Sequence, residues 1–68
     1  MKEDKQAICN ALCEALKLTR AFHDIVLIDY NAGSEKAIVI FDDDNSVDIN
    51  VAMDSGAMMI RDILRGLT

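Results

Sequence analysis

Proline and tryptophan are absent from this 68-residue chain, and cysteine occurs only twice. Two phenylalanines and one tyrosine are the only aromatics. With Phe22, Tyr30 and Phe41 scattered, and two of them inside strand patterns, there is no stacking platform for nucleic-acid bases. Basic residues are also scarce, seven against twelve acids for a net charge of −5. A protein that grips a phosphate backbone needs clustered Lys and Arg to displace counterions, so a nucleic-acid partner is not expected. Apolar runs reach no further than Ala37–Phe41, far short of the roughly 20 residues of a membrane span. Met1-Lys2-Glu3-Asp4-Lys5 has no apolar stretch behind it, so no secretory signal and no membrane association are expected.

Small secreted domains are usually stapled by several disulfides. Cys9 and Cys13 stand one helical turn apart, and an intact helix is a poor frame for a bond between them. Two reduced thiols in a cytoplasmic protein are expected. A domain of this size buries only about 60% of the surface its unfolded chain exposes, so residues 1–68 are read as a single domain with a small core. Half the residues are apolar, too many for a disordered acidic tail. The chain shows no linker, repeat or low-complexity stretch beyond Asp42-Asp43-Asp44.

From Glu3 to Ala21 the apolar residues recur at helical spacing. Ile8, Leu12, Ala15 and Leu16 form the expected stripe, with Cys9 and Cys13 on its edge. Glu3 and Asp4 near the start, and Lys17 and Arg20 near the end, complement the helix dipole. Ile25–Tyr30 and Lys36–Phe41 are β-branched and aromatic, separated by the turn cluster Asn31-Ala32-Gly33-Ser34. Asp42–Asn45 forms a second turn, and Ser46–Val51 alternates apolar and polar, as a strand with one wet face does. Asp54 or Ser55 would cap a last helix whose stripe is Ile60, Ile63, Leu64 and Leu67. Gly56 and Ala57 would allow close approach near its start, and Gly66 would serve as its C-cap. The expected fold is therefore α+β, a two-layer α-β-β-β-α arrangement. In it a three-stranded antiparallel meander carries both helices on one face.

That arrangement leaves the other sheet face without cover. The third strand turns Asp48 and Asn50 outward, but the first two are apolar on both faces. Strict alternation sets Ile25 and Leu27 against Val26 and Ile28, and Ala37 and Val39 against Ile38 and Ile40. One of those sets stays exposed in a monomer, and a contiguous apolar patch marks an interaction surface. Val26, Ile28, Ile38 and Ile40 are the candidates for it, and two-fold self-association is the simplest way to cover it. Met58, Arg61 and Arg65 form a second candidate edge on the last helix, away from its core stripe; flexible thioethers suit adaptable surfaces.

Other chemistry finds little support. Asp42, Asp44, Ser46 and Asp48 alternate as a calcium loop does at its start. Val47 then stands where the loop's glycine belongs, and Met53 where its bidentate glutamate belongs. A divalent-metal-dependent activity at the Asp42–Asp48 turn is accordingly a minor alternative. Cys9, Cys13 and His23 are three soft ligands at the wrong spacing for structural zinc, which takes four. Pairing a cysteine with His23 and Asp24 for nucleophilic catalysis fails on helical geometry, since His23 follows the helix end directly while Cys9 and Cys13 lie two to three turns back. No phosphate loop, dinucleotide fingerprint or nucleophile elbow occurs, so no cofactor and no enzymatic activity are expected.

In layout alone, α-β-β-β-α over the whole chain, the sequence resembles double-stranded-RNA-binding domains. In that family the second helix opens with lysines that grip phosphates across the groove. The matching residues here, Asp54-Ser55-Gly56-Ala57-Met58-Met59, carry no base, and neither does Asn31-Ala32-Gly33-Ser34. No RNA-contacting residue carries over, and RNA binding is a second alternative. The leading expectation is a small cytoplasmic protein-binding module that self-associates, whose acidic surface would suit a basic partner such as a nucleic-acid-binding protein under inhibition.

Overall fold

A computed structural model describes residues 4–53 and 55–67, so the expected roles of Glu3 and Asp54 lie outside the described residues. The elements follow in the order α1 (Lys5–Lys17), β1 (Ile25–Asn31), β2 (Lys36–Phe41), β3 (Ser46–Asn50) and α2 (Gly56–Leu67). The strands pair antiparallel in the order β1-β2-β3. Both helices contribute to one core with the same sheet face, the α+β layout expected from the pattern.

Asp4 starts α1 by accepting a hydrogen bond from the Ala7 N–H at 3.0 Å. Cys9, Cys13 and Leu16 then form its buried line. Ile8 and Leu12 pack beside that line, and Ala15 is exposed, so the cysteines stand at the centre of the stripe rather than on its edge. Their small side chains let the helix settle close to the sheet. The helix stops at Lys17, four residues before Ala21. Thr19 turns the chain: its hydroxyl donates to the Leu16 carbonyl at 2.6 Å and accepts from the Phe22 N–H at 3.2 Å.

In β1 the strict alternation fails. Register shifts between Ile25 and Leu27, so Ile25 and Ile28 are both buried and Val26 and Leu27 are both exposed. An extra residue in an edge strand does this, because it resets which side chains face the core. Beyond the bulge the pairing is regular, with Ile28 opposite Val39 and Tyr30 opposite Ala37 on the core face. The β1–β2 turn is held by Asn31, whose Oδ1 accepts from the Gly33 and Ser34 N–H groups. The β2–β3 turn is held by Asp43, which accepts from both the backbone and the side-chain N–H of Asn45. Glu35 and Asp44 take positive φ, 54° and 69°, so a residue other than glycine holds the left-handed position in each turn.

Ser55 caps α2, its hydroxyl accepting from the Met58 N–H at 3.3 Å. The buried line is Gly56, Met59 and Ile63, with Leu64 and Leu67 packed beside it. Met59 is fully buried at its centre and Ile60 is only partly covered. Gly66 is not a C-cap. It lies inside the helix without a positive φ, and its absent side chain makes room for Ile49 of β3. A Cβ there would fall 2.8 Å from Ile49 Cγ1 and 2.9 Å from Cδ1. Alanine would gain about 1 kcal/mol of helix propensity, but forcing a methyl into packed side chains costs about 1–3 kcal/mol. Gly66→Ala is therefore expected to lower the melting temperature, by roughly 4–8 °C for each net kcal/mol lost, measured by thermal circular dichroism.

Candidate functional site

The sheet face turned away from the helices is built from three cross-strand rows: Leu27–Ile40–Ser46, Asp29–Ile38–Asp48 and Asn31–Lys36–Asn50. Leu27, Ile38 and Ile40 give it an apolar centre, and Val26 adjoins them at the exposed bulge. Val26 is 50% exposed and Leu27 41%, large values for apolar residues in a strand. Ile38 and Ile40, on the central strand, are partly covered by their neighbours. Polar side chains of β1 and β3 and the Lys36 end of β2 frame the patch.

The expected surface residues thus separate. Val26, Ile38 and Ile40 come together on this face. Ile28 does not, because the bulge carries it into the core, where it is completely buried. Leu27 takes its place, a residue that strict alternation assigns to the opposite side. Met58, Arg61 and Arg65 share the exposed side of α2, on the helix layer rather than the sheet face. Arg61 pairs with Asp62 at 3.5 Å. Leu18 and Met53 are more exposed still, but each stands in a connection, after α1 and before α2.

Cys9 and Cys13 are buried free thiols. His23 is exposed, its Nδ1 3.0 Å from the Arg20 carbonyl. Asp43, the middle carboxylate of the second turn, is occupied with Asn45. No group of three or more His, Cys, Asp and Glu among the described residues is placed to hold a metal ion. No helix among them is long and apolar enough to cross a membrane. No family model, curated protein or solved structure matches the chain.

Burial pushes the Cys9 thiol above its ordinary value of 9.0, and the Asp29 carboxylate adds to the rise. A raised thiol pKa favours the protonated native state. The stabilisation is complete below the unfolded thiol's pKa and is lost as pH climbs through the native one. Urea titrations are expected to show stability falling as pH rises past about 9, with a shallower fall in Cys9→Ala than in the parent chain.

Proposed function

We propose that this chain is a small, non-catalytic protein-interaction module of the cytoplasm that self-associates through the open face of its sheet. The observation that carries this reading is the contiguous patch of Val26, Leu27, Ile38 and Ile40. An unpaired apolar sheet face in water loses the free energy that burial would return, about 25 cal/mol for each Å² covered. A second copy offers the same patch, and face-to-face sheets pack with their side chains interdigitated. A two-fold arrangement closes on itself without leaving another copy of the patch exposed. Polar residues around the patch form the rim that interfaces of this kind carry.

The test is solution mass by light scattering across a wide range of loading concentrations, for the parent chain and for a Val26→Lys, Leu27→Lys double variant. Both substitutions fall on exposed side chains, so the variant is expected to keep its far-ultraviolet circular dichroism spectrum. The parent is expected at twice 7.5 kDa and the variant at 7.5 kDa. A parent chain that stays at the lower mass throughout would contradict self-association.

A further inference from the structure

The two outer edges of the sheet are finished differently. Hydrogen bonds from the Phe41 N–H to the Asn45 carbonyl and from the Val51 N–H to the Glu35 carbonyl bracket the β2–β3 ladder. In that alternation Val47 and Ile49 address β2, so the N–H and C=O groups of Ser46, Asp48 and Asn50 point off the outer edge of β3. The equivalent outward groups of β1 belong to Val26, Ile28 and Tyr30, and α1 occupies them. Gln6 Nε2 donates to the Ile28 carbonyl at 3.3 Å, Gln6 Oε1 accepts from the Tyr30 N–H at 2.9 Å, and Cys13 Sγ donates to the Val26 carbonyl at 3.8 Å. One edge is sealed by side chains. The other presents three exposed residues in a regular strand with no proline, lysine or bulge to deter pairing.

We propose that the outer edge of β3 receives an extended, basic segment of another protein, which joins the sheet as a fourth strand. The charge pattern selects the partner. The row Asp29–Ile38–Asp48 ends in a carboxylate on both sides and contains no cation. A Lys or Arg beside Asp48 makes an opposite-charge cross-strand pair, whereas like charges there are destabilising. A second copy is a poor occupant, because its β3 holds no base and pairing centred on Asp48 sets two carboxylates against each other. On the other face the added strand runs beside Val47 and Ile49 at the margin of the core, which favours apolar residues at alternate positions. The outward N–H and C=O groups of this edge lie in the plane of the sheet, at the rim of the open face to which Asp48 contributes its side chain.

The probe is a fluorescein-labelled octapeptide of alternating Lys and Val, with alternating Glu and Val as its control, followed by anisotropy. The lysine peptide is expected to bind and the glutamate peptide not to. Asp48→Asn is expected to weaken binding about threefold. Asp48→Pro removes an outward N–H together with the carboxylate, leaves the hydrogen bonds of the β2 ladder in place and is expected to abolish binding, a larger loss than that of Asp48→Asn. Amide exchange on the unmodified chain gives a readout that does not depend on the proline variant folding: the Asp48 and Asn50 amides are expected to become protected when peptide is added. Equal binding of both peptides, no binding of the lysine peptide at millimolar concentration, or binding that leaves those two amides unprotected would each overturn the proposal.

Discussion

One extra residue in β1 decides which apolar side chains become core and which become surface. The bulge between Ile25 and Leu27 turns Ile25 and Ile28 inward together. There they meet the line of Cys9, Cys13 and Leu16 on α1. The same slip leaves Val26 and Leu27 outside, next to Ile38 and Ile40 of the central strand. A straight strand with period-two alternation could bury only one residue of the pair Leu27 and Ile28 with Ile25, and that would be Leu27. Core and exposed patch are thus consequences of one backbone irregularity. Changes in the 25–28 segment act on both at once.

Covering the sheet is a problem of faces and edges together. The helices cover one face, with α1 seated over β1 and α2 brought down onto β3 by the missing side chain of Gly66. Gln6 does more than sit on a helix surface. By bonding to Ile28 and Tyr30 it completes the outer ladder of β1, and the Lys5 ammonium lies 5.6 Å from the centre of the Tyr30 ring at the same end. What is left open is one face and the edge of β3. The proposed contacts use those two surfaces; Cys9 and Cys13 are buried, and His23 and Asp43 are engaged with neighbouring backbone.

The order of elements and the existence of an apolar open face were legible in the sequence, since both follow from periodicity and from the turn residues Asn31, Asp43 and Asn45. The membership of that face was legible only in part. Ile38 and Ile40 sit in a regular strand, and alternation places them correctly once one neighbour is known. Ile28 and Leu27 exchange roles because Ile25-Val26-Leu27-Ile28 is uniformly β-branched or aliphatic, and no residue in it marks a bulge. The end of α1 was hidden for a similar reason. Neither glycine nor proline stops it; a threonine hydroxyl does, and Thr19 is an ordinary residue inside a helix pattern as well. Periodicity sets Cys9 and Cys13 on the edge of their stripe because Leu and Ile define the stripe on a hydropathy scale. The packing instead favours small or pliable side chains where a helix approaches a sheet.

In the proposed assembly the face formed by Val26, Leu27, Ile38 and Ile40 is covered by the same face of another copy. The most direct measurement is an isotope-filtered nuclear Overhauser experiment on a mixture of labelled and unlabelled chain. Cross-copy signals among the methyl groups of these four residues are the result predicted. Cross-copy signals confined to other surfaces, such as Leu18 or Met58, or relaxation times of a monomer with these methyls in water, would contradict it.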